Sequence, residues 1–228
     1  MSTVALIGPD GAGKTIVAKS VLNSFPLPMK YLYMGRNFGS SNFAVPTSRL
    51  IQFLRRYLNK KSTKITSTKF HYLNASLQQP EEWWTKDKRG KIFATLRLLN
   101  RLADEWFRQF ISWSYQLRGY IVIYDRHFSL DHEPTNSSRL TARLHRWLLN
   151  NWYPKPDLVI FLDAPPEVLY SRKGETTLEN LQLCREAILN QGKKLSNFIR
   201  IDALQPLDNV CAEVGHQIMQ FHASENLI

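Results

Sequence analysis

Gly8-Pro9-Asp10-Gly11-Ala12-Gly13-Lys14-Thr15 follows the pattern G-x-x-x-x-G-K-[ST]. Glycines let the backbone curl so that successive N–H groups point inward at a phosphate chain. In this pattern Lys14 sends a point charge toward the outer phosphates, and the Thr15 hydroxyl is placed to ligate Mg²⁺. The pattern alone arises by chance, so its flanks must decide. Thr3-Val4-Ala5-Leu6-Ile7 is a short apolar run, as a buried parallel strand should be. Thr15-Ile16-Val17-Ala18-Lys19-Ser20-Val21-Leu22 spaces its apolar residues as a helix does. Strand, loop and helix together predict a helix N-terminus whose positive end faces phosphate. The alternative, a glycine-rich turn with no ligand, lacks a reason for these flanks.

The rest of the chain repeats the alternation. Further apolar runs are 29–34, 120–124, 158–162 and 198–201, and helical patterns cover 47–58, 91–117, 138–152, 166–171, 178–195 and 207–222. Five strands alternating with helices predict an α/β fold, a parallel sheet covered on both faces. Residues 60–88 are polar and aperiodic, and read as an insertion in a single domain spanning 1–228. Ligands of such sheets sit beyond the carboxyl ends of the strands. The candidate site residues are therefore 8–15, Gly35-Arg36-Asn37, Asp125-Arg126-His127 and Asp163-Ala164-Pro165.

Composition bounds the classes. The chain has 228 residues, 43% hydrophobic and 21% charged, ordinary for a globular domain. No apolar run approaches the roughly 20 residues of a membrane span. Met1-Ser2-Thr3-Val4 leads straight into the first strand, and the two cysteines lack metal-type spacing, so a reduced, cytoplasmic protein is the expectation. Net charge is +11, with basic side chains concentrated between Arg49 and Arg101. That region reads as a solvated face, as attraction for polyphosphate substrates, or as a surface for nucleic acid or membrane. It contains no nucleic-acid-binding motif, so nucleic acid is not an expected partner.

Asp125 is where a loop of this kind finds the carboxylate that holds Mg²⁺ or its water. Arg126 supplies a planar, permanently charged fork for phosphate oxygens. The structural alternative has Asp125 capping the next turn and pairing with Arg126. His127 either lines the pocket or packs. Arg36, at another strand end, is a candidate for holding an acceptor, against an exposed loop arginine. Arg172-Lys173-Gly174-Glu175 reads as a basic lid on a glycine-containing loop, against a surface turn. Asp163 reads as a structural strand-end cap.

These motifs, with Tyr124-Asp125-Arg126-His127, Pro156 to Asp163 and Ile201-Asp202-Ala203, resemble the thymidylate kinase family over nearly the whole chain, 60–88 excepted. The resemblance implies a P-loop NTPase fold of three α/β/α layers, with a five-stranded parallel sheet. It implies phosphoryl transfer from ATP with Mg²⁺ to a small-molecule acceptor, and a homodimer. Residues 8 and 10–15 (Gly8, Asp10, Gly11, Ala12, Gly13, Lys14 and Thr15) would bind the nucleotide, with Arg172, Asp202 and Ala203. Lys14, Asp125, Arg126 and Arg172 would be catalytic, and Thr15 and Asp125 would hold the metal. Asp10, Arg36, Arg101, Arg126 and His127 would face the acceptor. The chain departs from the family after the second strand, where Met34-Gly35-Arg36-Asn37 replaces Arg-Glu-Pro-Gly. It departs again at Ala103-Asp104-Glu105, where the family has Ala-Asp-Arg; Arg97, Arg101 and Arg108 are the substitutes at hand. The donor side is thus intact. The expected acceptor is a nucleoside monophosphate, with a sugar or other metabolite hydroxyl as the second reading. A non-catalytic nucleotide-binding regulatory protein is the third.

Overall fold

The computed structural model describes residues 2–35, 91–128, 130, 140–174 and 176–225. Two compact units divide the chain, one of Met1–Phe43 with Arg108–Ile228, the other of Ala44–Phe107. The expected helix over 47–58 and the insertion at 60–88 lie outside the described residues. In the second unit the described part is helical, residues 91–107.

In the first unit five strands form one parallel sheet: β1 (Thr3–Ile7), β2 (Met29–Tyr33), β3 (Ile121–Asp125), β4 (Leu158–Asp163) and β5 (Phe198–Asp202). Their order is β2-β3-β1-β4-β5, every neighbouring pair parallel. β1, β3 and β4 are buried along their whole length, which is why they read as unbroken apolar runs. Each fully buried aliphatic side chain there contributes about 1.5–3 kcal/mol. Six helices occur among the described residues. They are α1 (Lys14–Ser24), α2 (Lys91–Gln116), α3 (Leu140–Asn151), α4 (Pro166–Lys173), α5 (Leu178–Gly192) and α6 (Leu207–Glu225).

One sheet face presents Val4, Leu6, Ile123 and Ile160 to Val17 and Val21 of α1 and Val214 and Ile218 of α6. On the other face Tyr124 shares a 2.6 Å hydrogen bond with Ser112 of α2. Asp157 joins the starts of β1 and β4, its Oδ2 accepting from Thr3 N at 2.8 Å and Thr3 Oγ1 at 2.7 Å. The chain leaves β1 toward β3 and β2 on one side and later fills β4 and β5 on the other. The crevice where strand order reverses therefore opens at the carboxyl end of β1, where the glycine loop begins.

Candidate active site

The loop after β1 is held in a shape that only glycine permits. Gly8, Gly11 and Gly13 all have positive φ. A Cβ on Gly8 would stand 2.7 Å from the carbonyl oxygen of Leu162, so the loop lies flat against the end of β4. Gly13, at φ 84°, is the N-cap of α1 and offers no side chain to its first turn. The N-terminal N–H groups of α1 are thereby left for an anionic ligand. Lys14 is buried, and its Nζ donates to the carbonyls of Gly8 and Pro9 at 2.8 Å each.

Thr15, on the first turn of α1, donates from Oγ1 to Asp125 Oδ2 at 2.5 Å. Tyr31 of β2 donates to the same oxygen at 2.8 Å. Burial, reinforced by the Asp125 carboxylate, pushes the Tyr31 hydroxyl far above its ordinary range, so it is a donor at every working pH. Asp125 itself is fully buried, and its Oδ1 has no hydrogen-bond partner. An orphaned carboxylate oxygen behind a threonine hydroxyl is a hard-oxygen donor set. It fits Mg²⁺, which takes one or two protein ligands and completes its shell with water and phosphate.

Arg126 is the only non-glycine residue with positive φ among the described residues, at 69°. Its backbone N–H is tied to Leu6 O at 3.1 Å, and its Nη2 donates to Asp10 Oδ1. The structure thus brings the residue after β3 across to the loop after β1. Burial raises the Asp10 pKa, but the charges of Arg126, Lys14 and Lys173 outweigh it and hold the carboxyl below its ordinary 3.8.

Arg172 and Lys173 were expected on a loop. They stand instead in the last turn of α4, which Gly174 closes at φ 62°. The helix runs two residues further than its apolar pattern, because Gly174 rather than the last apolar residue supplies the stop. Arg172 Nη2 donates to the Ala203 carbonyl at 3.2 Å, so Arg172 and Ala203, expected separately, meet. Ala203 N in turn donates to Asp163 O at 2.8 Å, and Asp202 Oδ1 accepts from Leu204 N at 2.9 Å. Asp163 is more than a cap. Arg185 Nε and Nη2 donate to its two oxygens at 2.6 and 2.9 Å, and Arg200 Nε donates to Oδ2 at 2.7 Å.

The other expected acceptor residues are Arg36, Arg101 and His127. Arg36 lies outside the described residues. Arg101 belongs to the second unit, where its Nε donates to Glu105 Oε1 at 3.2 Å. His127, read as lining the pocket or packing, is fully buried with its ring beside those of Tyr124 and Tyr153. Burial drives its pKa down to about 3, opposed only by a hydrogen bond to the Pro154 backbone. In the unfolded chain it titrates near 6.5. Stability is therefore full above that value and falls with acid, as the unfolded state takes the proton first. Between pH 6.5 and 5 the loss from this group is about 2 kcal/mol, or roughly 4–8 °C in Tm. Thermal melts of His127→Phe should be flatter than wild type across that window, and equal slopes would refute the assignment. Below about pH 4 the depressed Asp10 carboxyl adds a further acid loss in both proteins.

One contributor went unread in the sequence, and one was named there only as a substitute for an absent arginine. Tyr31 is one of several strand tyrosines, and nothing in its spacing marks it. Arg108 is fully buried under the end of β2, its Nη1 donating to Gly35 O at 2.8 Å with its guanidinium 5.2 Å from the Phe128 ring centroid. It is one of the three arginines, with Arg97 and Arg101, that the sequence offered in place of the one in the family's Ala-Asp-Arg.

No family model matches the chain. A probable thymidylate kinase from Archaeoglobus fulgidus is 31% identical over 110 residues, which cover 45% of this chain and 55% of that protein. The likeness is to the thymidylate kinases. It spans about half the length of that relative. Among solved structures, deoxyadenosine kinase from M. mycoides, described with the products dCMP and a flexible dCDP bound, superposes with a TM-score of 0.50. That match covers 96% of this chain and 99% of the other at 12% identity, a likeness of fold. The chain thus has the fold expected from its sequence, a five-stranded parallel sheet with helices on both faces. No described helix is long and apolar enough to cross a membrane.

Proposed function

We propose that this chain is a Mg-ATP-dependent kinase that transfers the γ-phosphoryl group to a small-molecule acceptor, a nucleoside monophosphate first. The observation that carries the reading is the Thr15–Asp125 hydrogen bond with Asp125 Oδ1 buried and unpartnered behind it. It joins the phosphate loop to a second strand end in the way phosphoryl transfer needs. Thr15 and, through water, Asp125 would hold Mg²⁺, which when bound polarises the phosphoryl oxygens. Residues 8–15 cradle the donor phosphates with backbone N–H groups, and Lys14 neutralises their outer charge. Arg126, released from Asp10, moves its fork to the transferring group, and Arg172 stands over the nucleotide side beside Ala203. Asp10, once freed, is an acceptor for a hydroxyl of the bound acceptor. Covalent work is small, so positioning and electrostatics carry the rate.

A second reading, an acceptor whose hydroxyl belongs to a sugar or another metabolite, is favoured by one observation. Arg108 spends its guanidinium on the backbone carbonyls of Tyr33 and Gly35. The homodimer and the cytoplasmic location belong to the same proposal. ADP release measured over a panel of nucleoside monophosphates, nucleosides and sugars tests it. Turnover with one nucleoside monophosphate is the expected result. Turnover only with a sugar selects the second reading, and ADP binding without any acceptor-dependent turnover overturns the enzyme.

A further inference from the structure

The tyrosine of β2 that touches the site has no assigned part in it. In the sheet register Tyr31 pairs with Ile123, so its side chain shares a face with Asp125 two residues further along β3. Its hydroxyl reaches diagonally to Asp125 Oδ2, the oxygen that also accepts from Thr15. A carboxylate at a strand end can rotate, and each donor removes part of that freedom. The two donors differ in origin. Thr15 belongs to the phosphate loop and helix, whose hydroxyl oxygen a cation would engage. Tyr31 belongs to the sheet and is independent of the loop. With Oδ2 pinned from both sides, Oδ1 is the oxygen left over, buried and without a partner.

We propose that Tyr31 is a positioning residue that locks the Asp125 carboxylate to the sheet, so that Thr15 and the free oxygen of Asp125 are pre-set for a nucleotide-bound divalent cation. This deepens the kinase reading and rests on it. The physical gain is pre-organisation: the carboxylate need not be ordered when the metal arrives. Partners one shell out from a metal ligand are typically worth 10–100-fold in metal affinity. Tyr31→Phe removes the hydroxyl and keeps the ring, which packs against the core under α1. A residue that merely packs would therefore not notice the change.

Calorimetric titration of ADP, in excess Mg²⁺ and in EDTA, reads the effect without turnover. Wild type should bind more tightly with Mg²⁺. Tyr31→Phe should match wild type within about twofold in EDTA, yet require about tenfold more free Mg²⁺ for the same tightening. In an Asp125→Asn background the Mg²⁺ effect should be gone, and adding Tyr31→Phe should change nothing further. An unchanged Mg²⁺ requirement in Tyr31→Phe overturns the proposal and leaves the kinase reading standing. Equal loss of ADP affinity in Mg²⁺ and EDTA makes Tyr31 a packing residue and overturns it as well. Failure of wild type to bind ADP under either condition removes the kinase reading itself.

Discussion

Lys14→Ala should lower kcat/KM for ATP by about 10³ or more while the fold survives. The side chain is buried in a loop whose backbone is shaped by three glycines, and its ammonium is already pinned between the Gly8 and Pro9 carbonyls. A charge placed in advance costs no reorganisation when phosphate arrives, and in a water-poor pocket it acts with little screening. Its removal takes away two hydrogen bonds, a stability loss of about 1–3 kcal/mol and a few degrees in Tm. Lys14→Arg should not rescue. A planar fork cannot fit where one compact ammonium bridges two carbonyls. Steady-state kinetics beside a thermal melt separate the outcomes: unchanged ATP turnover in Lys14→Ala defeats the donor-site assignment, and a collapsed melt would make Lys14 structural.

The Asp163 clamp should produce the largest stability effect, and the effect should be asymmetric. Asp163 is 3% exposed, Arg185 24% and Arg200 58%. Asp163→Ala leaves two guanidinium groups with access to water, and solvent screening limits the loss to about 2 kcal/mol. Removing Arg185 and Arg200 together strands a carboxylate that has no such access, and the cost rises to about 3–5 kcal/mol. In Tm the two changes correspond to roughly 4–8 °C and 6–20 °C. Urea or thermal denaturation of both variants reads the order directly, and equal shifts would mean that the clamp is a surface ion pair. The clamp also bears on the proposed nucleotide site. Asp163 O receives Ala203 N, and Ala203 O receives Arg172, so loosening it frees the loop after β5 where the nucleotide base is expected. The KM for ATP should rise in Asp163→Ala with little change in kcat.

The strands were legible because parallel strands buried on both faces must be apolar throughout, as Leu158 to Leu162 and Ile121 to Tyr124 are. The loop was legible because its shape demands glycine at fixed spacing. Asp125 and Arg126 followed from their place at a strand end. What stayed hidden depends on contacts far apart in sequence. Arg185 and Arg200 lie 22 and 37 residues from Asp163, and no local pattern pairs them. Tyr31 and Asp125 are 94 residues apart, and only sheet register makes them neighbours. His127 follows Arg126 directly, yet the left-handed turn at Arg126 separates their directions: one side chain reaches the loop, the other the interior. A motif read as a linear string cannot contain that turn.

We propose that the loop at 8–15 and the pair Asp125-Arg126 form one phosphoryl-transfer site. A single-turnover quench with γ-labelled ATP, Mg²⁺ and the acceptor chosen by the panel tests it most directly. The label should appear on the acceptor with wild type and stay on ATP with Lys14→Ala. Label found only in inorganic phosphate, or on the acceptor at an unchanged rate in Lys14→Ala, would contradict it.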